Sequence, residues 1–194
     1  MQDLINRLFK PAFAALPWAV SMAAVLALLV AARPAHAEDP VSPSLLGPVS
    51  RGQVEAAEPD WVAAEVDATI DEDAAKALAG VPPGAKVVVY FGTWCSDSRR
   101  EVSRFWRALD VTGSEVPFEL EYIAVDRGDK RPPEMKEELG LVYVPTFIVT
   151  RDGQEVGRMV EESPHGIEND LLALLEGDAT GVISVRDDVG ATTD

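Results

Sequence analysis

The chain has 194 residues, 47% of them hydrophobic, and a formal net charge of -16. That length predicts one domain with extensions. The acidic balance argues against nucleic acid and anionic membrane surfaces as partners, since both need positive patches. A single cysteine, Cys95, rules out an internal disulfide, so the fold relies on its core.

Residues 1–37 read as a secretory signal peptide. Arg7 and Lys10 precede an apolar run from Ala12 to Val30, and Ala35-His36-Ala37 is a small-x-small cleavage pattern. Cleavage after Ala37 would release a periplasmic or secreted protein. The run also approaches the length needed to span a bilayer, so an uncleaved anchor is the alternative and the only expected contact with membrane. Pro17 and the alanine content weigh toward cleavage. Residues 38–60, with Pro40, Pro43, Pro48 and Pro59, read as a flexible linker.

The predicted domain spans 61–176. Trp61 to Val66 reads as a first strand and Asp71 to Ala79 as a short helix, ended by Gly80 and Pro82-Pro83-Gly84. Lys86 to Phe91 is a β-branched and aromatic run suited to a central strand. Ser98 to Leu109 places Val102, Phe105, Trp106 and Leu109 on one helical stripe. Arg99, Arg100, Glu101, Arg104 and Arg107 fall mostly elsewhere. Phe118 to Val125 is a second buried strand, and a helix opens at Pro132 or Pro133 and ends before Gly140.

Val144 to Val149 forms a strand with Pro145 at its start, where a missing N–H is tolerated. Asp152-Gly153 turns it into Gln154 to Val160. Ser163 to Glu176 is the last amphipathic helix. Residues 177–194 form an acidic tail, expected to be largely mobile, in which Val182 to Val185 has some strand character. The βαβ half predicts parallel pairing and the hairpin antiparallel pairing. The fold class is therefore α/β, a mixed central sheet flanked by helices.

Cys95 lies where the central strand hands over to a helix, in Phe91-Gly92-Thr93-Trp94-Cys95-Ser96-Asp97-Ser98. The partial positive charge of a helix start favours thiolate over thiol. A buried, inert cysteine is the competing reading. Trp94-Cys95-Ser96-Asp97-Ser98 after a hydrophobic strand resembles the Trp-Cys-x-x-Cys site of the thioredoxin-like superfamily. Gly140-Leu141-Val142-Tyr143-Val144-Pro145-Thr146, about fifty residues on, is similar to that family's loop before its cis-proline. The resemblance covers roughly 62–176 and implies a three-layer thioredoxin-like fold. It also implies that Cys95 matches the nucleophilic cysteine and Pro145 the cis-proline, with the backbone before that proline offering hydrogen bonds to a substrate. Without the cysteine motif, Pro145 reads first as an ordinary strand-initiating trans proline.

The chain departs from the family pattern in three ways. Ser98 stands at the resolving cysteine and cannot attack a mixed disulfide. Val89 stands where thioredoxins carry a buried aspartate. Asp97 replaces the proline or histidine before the second cysteine, where a carboxylate suits the helix dipole but opposes a thiolate; Arg99 is placed to offset it. Ser96, Asp97 and Ser98 also read simply as first-turn and capping residues.

The expected function is monothiol thiol–disulfide exchange through Cys95. Trp94, Asp97, Ser98, Val144, Pro145 and Thr146 would contact a substrate, and thiols and disulfides would be the partners. The alternative is a redox-inactive module that keeps the fold and holds partner peptides. A peroxidase-like site is disfavoured by Trp94 before the cysteine. His36 and His165 supply no catalytic partner, no metal-ligand cluster or phosphate loop occurs, and no cofactor is expected.

Overall fold

The computed structural model describes residues 45–127 and 138–189. The signal-peptide expectation for 1–37, most of the helix expected from Pro132 or Pro133, and the end of the tail lie outside these residues.

The central strand β2 (Ala85–Phe91) forms where β-branched and aromatic residues run without interruption. It pairs in parallel with β3 (Glu119–Ala124) and antiparallel with β4 (Thr146–Arg151). Between β2 and β3 runs helix α4 (Ser96–Thr112). Strand β4 turns at Asp152-Gly153 into β5 (Gln154–Val160). Both turn residues have positive φ, 54° and 76°, the conformation that Asp-Gly favours in a two-residue hairpin. Helix α5 (Ile167–Glu176) follows. Two short strands extend the sheet at its edges: β1 (Gly47–Val49) beside β3, and β6 (Gly181–Ile183) beside β5. The order is β1-β3-β2-β4-β5-β6, mixed as the two halves of the sequence predict. The parallel β2–α4–β3 half joined to the antiparallel β4–β5–α5 half is the thioredoxin-like arrangement.

Residues alternate across the sheet. Val87, Val89 and Phe91 join Phe147 and Val149 beneath Phe105, Trp106 and Leu171 of the helices. Tyr90 and Ile148 face the opposite way, with Val125, Leu141 and Val144. Cys95 and Trp94 pack against this second cluster, so the thiol belongs to this second face of the sheet.

Three expectations along the chain are corrected. Within the expected linker, residues 45–60 are ordered. They hold β1, helix α1 (Arg51–Ala57) and the start of helix α2 (Pro59–Val66). Ser50 and Gln53 form a reciprocal capping box that supplies the first turn's missing hydrogen bonds, and Pro59 opens α2 where no N–H is needed. Trp61 to Val66 is consequently helix, not strand. Trp61 and Glu65 turn inward together, one helical turn apart. Third, the segment from Gly181 is not free tail: β6 pairs with β5, and the backbone of Gly181 lies so close to Gly157 that a Cβ there would sit 2.5 Å from its carbonyl oxygen. The 71–80 segment runs as helix α3 (Glu72–Ala77) continued by one 3-10 turn, as its sequence suggests.

One arginine helps to fasten α1 and α2 to α4. Arg51 pairs with Glu55, Glu65 and Asp110 and lies 5.5 Å over the Trp106 ring. Burial, then the shared hydrogen bond with Asp110, push the Glu65 carboxyl up to about 7 against the pull of Arg51. A folded-state value above the ordinary one means that the folded chain holds this proton more tightly. Stability from this group therefore grows as pH falls from about 7 toward about 4.5. Urea unfolding of Glu65→Gln is expected to show a flatter pH dependence across that window than the parent chain. Parallel curves would place the titration elsewhere.

Candidate functional site

The site begins with the end of β2. Gly92 N–H donates to Ser98 Oγ at 3.2 Å, and Cys95 N–H donates back to Gly92 O at 3.0 Å. These bonds close a tight turn and place Cys95 at the N-cap of α4, with extended φ and ψ of -101° and 124°. Its side chain makes no capping bond, so the thiol is not used up in holding the helix. Arg99 N–H donates to Cys95 O at 3.0 Å and starts the helical ladder.

Trp94 lies back over the turn. A Cβ on Gly92 would sit 2.5 Å from the indole, so this close packing requires glycine. Indole Nε1–H donates to Val125 O at 3.0 Å, which ties the loop to the end of β3. The Arg127 guanidinium lies over the indole, 4.8 Å from the ring centroid. Sequence reasoning names Trp94 but misses Gly92, Val125 and Arg127. The glycine directly before the site was the available clue.

The second wall is the loop from Gly140 to Pro145. The Val144–Pro145 peptide is cis. Cys95 Sγ–H donates to Val144 O at 3.5 Å, a sulfur-length contact that places the thiol directly against the backbone before the proline. The Val144 side chain is buried in the second cluster. Pro145 O accepts from Glu161 N–H at 2.8 Å, so it is already occupied.

The named site residues therefore divide. Cys95 is half-buried and reachable, with Trp94 and the Val144 carbonyl beside it. Asp97 is half-buried and paired with Arg100 at 2.8 Å, so it does not face the thiol as a free charge. Ser98 and Thr146 are corrected. Ser98 has 0% exposure and is spent on Gly92 N–H, while Thr146 is buried with Oγ1 donating to Tyr143 O at 2.8 Å. Both shape the loops that a substrate would meet, and neither offers it a surface. Glu101, expected on the polar side of its helix, is also fully buried, bonded by Arg100 Nε at 2.9 Å. Burial outweighs the two neighbouring arginines and raises its carboxyl above the ordinary range.

The opening at the thiol is a cavity of about 150 Å³ lined by Thr93, Trp94, Cys95, Ser96 and Arg99. Small-molecule pockets occupy roughly 300–1,000 Å³. The dent therefore suits a chain lying across it better than a ligand enclosed within it. Larger cavities, of about 570 Å³ beside Tyr143 and 670 Å³ beside Arg104, do not include Cys95. Among the described residues no cluster of His, Cys, Asp and Glu is arranged to hold a metal ion.

No protein-family model matches the chain, and no curated protein matches it. Among solved structures it is similar to a Pseudomonas aeruginosa protein of unknown function, with 16% identity, a TM-score of 0.49, and coverage of 67% of this chain and 88% of that one. It is also similar to a Chlamydomonas reinhardtii thioredoxin, at 17% identity and TM-score 0.36 over 56% of this chain and 93% of that one. An Aeropyrum pernix thioredoxin is similar at 14% identity and TM-score 0.34 over 54% and 82%. The assignment of the fold class rests on the chain's own strand order and connectivity: α/β, with a mixed thioredoxin-like sheet.

Proposed function

We propose that this chain is an exported monothiol thioredoxin-like protein that carries out thiol–disulfide exchange through Cys95. One observation carries the reading. The reachable Sγ sits at the start of α4, 3.5 Å from the Val144 carbonyl on the loop before Pro145. A disulfide lying across this cleft meets sulfur on one side and a backbone acceptor on the other.

The Cys95 thiolate attacks one sulfur of a substrate R–S–S–R. The S–S bond breaks, a Cys95–S–S–R mixed disulfide forms, and RS⁻ leaves. With serine at position 98 the adduct waits for a thiolate from outside the chain. That second thiolate attacks the R sulfur, regenerates the Cys95 thiolate and carries R away as a new disulfide. Trp94 supplies an apolar, stacked wall for the substrate. The shallow opening favours extended peptide disulfides over small enclosed molecules.

A second reading has its own observation. Ser98 is fully buried and satisfied by Gly92, so the resolving position is built as structure. A module that only holds partner peptides would use the same cleft with no covalent step.

Ser98→Cys separates the two. If Cys95 is a nucleophile, the full chain bearing this change resolves its own adduct, and mass analysis after exposure to a peptide disulfide finds an intramolecular disulfide in place of the mixed one. If neither the parent nor the variant ever carries the peptide, the exchange reading is wrong and the binding module stands.

A further inference from the structure

The stretch following β6 reaches the cis-proline loop, and one of its residues touches both of the segments that bracket Pro145. Arg186 Nη1 pairs with Glu161 at 2.9 Å, and Arg186 Nη2 donates to the Tyr143 hydroxyl at 3.0 Å. Its guanidinium also lies 3.8 Å over the Tyr143 ring. Asp188 closes the arrangement, accepting from Arg186 Nε at 2.7 Å and from the Tyr143 hydroxyl at 2.7 Å. Ser184 fastens the stretch to the sheet by donating to Val160 O at 2.8 Å.

Both contacts lead to the sulfur in a few bonds. Tyr143 is the residue before Val144, whose carbonyl meets Cys95 Sγ. Glu161 holds Pro145 O through its own N–H. Glu161 also has φ of 59°, a left-handed conformation that a non-glycine residue keeps only when its surroundings impose it. The surroundings here are Arg186 on the side chain and Pro145 on the backbone.

We infer that Arg186 is a positioning residue of the thiol site: it clamps Tyr143 to Glu161 and so holds the Val144–Pro145 backbone at its distance from Cys95. A guanidinium suits this task because its planar fork bonds two carboxylates while its face stacks on a ring. The assignment deepens the exchange reading and rests on Cys95 acting as the nucleophile. It predicts that residues 184–188, distant in sequence from the motif, set how well an extended disulfide is aligned for attack.

The test compares two probes on the full chain. Iodoacetamide, small and neutral, reads the thiol alone, whereas a short peptide disulfide reads the thiol together with the loop. Arg186→Ala is expected to slow capture of the peptide on the order of tenfold, the scale of a modest misalignment, while alkylation by iodoacetamide stays unchanged. Arg186→Lys, which keeps the charge but loses the fork, should fall between. Hydrogen exchange at Glu161 N–H gives a readout free of thiol chemistry: Arg186→Ala should accelerate it while core amides of β2 remain protected. Equal rates with both probes and unchanged exchange at Glu161 would overturn the clamp. If the parent chain never captures the peptide, the exchange reading fails, and the Glu161 amide still decides whether Arg186 holds the loop.

Discussion

Replacing Cys95 with serine is expected to abolish covalent capture of a peptide disulfide and leave the fold unchanged. Oxygen is smaller than sulfur, so the change adds no bulk to the turn, and the hydroxyl keeps a donor facing Val144 O where the thiol now donates. Since the Cys95 side chain provides no cap to α4, nothing structural is lost with the sulfur. The loss of adduct should be complete because Cys95 is the chain's single cysteine. Intact-mass analysis checks the adduct, and urea unfolding checks the fold. Residual adduct in the variant would mean that attack comes from another nucleophile, which the geometry around Ser98 does not provide. Unchanged noncovalent peptide binding by the variant would fit either reading, so the adduct is the observable that discriminates.

The largest stability effect is expected from Trp61→Ala. Trp61 is 1% exposed and packs 5.4 Å from the Phe91 ring and 5.6 Å from the Trp106 ring. Its carbonyl accepts from Ser103 Oγ inside the core at 3.2 Å. Emptying such a site costs about 3–5 kcal/mol, as large aromatic-to-alanine changes do. Against a typical total of about 5–15 kcal/mol, much of the chain's stability depends on the stretch that composition marks as the domain's edge. Phe91 ends the strand that leads to Gly92, so loosening this cluster would also release the support under the thiol turn. Urea unfolding measures the loss. A cost below about 0.5 kcal/mol, the ordinary surface value, would return Trp61 to the periphery.

The four central strands were legible because strand signals are local, whereas the edge strand β1 was not. Val87 to Phe91 is continuous and β-branched, Asp152-Gly153 marks a hairpin, and Gly113 and Gly177 end their helices in left-handed conformations. The early helices were misread for a physical reason. Four prolines spread over residues 38–60 dominate its composition, whereas the decisive signals were positional: Ser50 three residues before Gln53, and Pro59 at a helix start. Burial of Glu65 was illegible because its partner Arg51 comes from another helix, whereas Glu101 pairs with Arg100 and Arg104 of its own helix and its burial is set by the tertiary packing around it. At the site, Cys95 and Pro145 could be placed together only through the family resemblance. No spacing rule predicts that Ser98 bonds Gly92, or that Arg186 meets Tyr143 across 43 residues of sequence.

In the proposed reaction Cys95 starts a disulfide exchange that needs an external thiol to finish. The most direct measurement mixes the reduced full chain with bis(2-hydroxyethyl) disulfide at neutral pH and follows intact mass and released thiol together. The expected result is one mixed disulfide at Cys95 and one equivalent of released mercaptoethanol, with no further release until an external thiol is added and then a return of free Cys95. Absence of both adduct and released thiol, with the protein folded and Cys95 reduced, would contradict it.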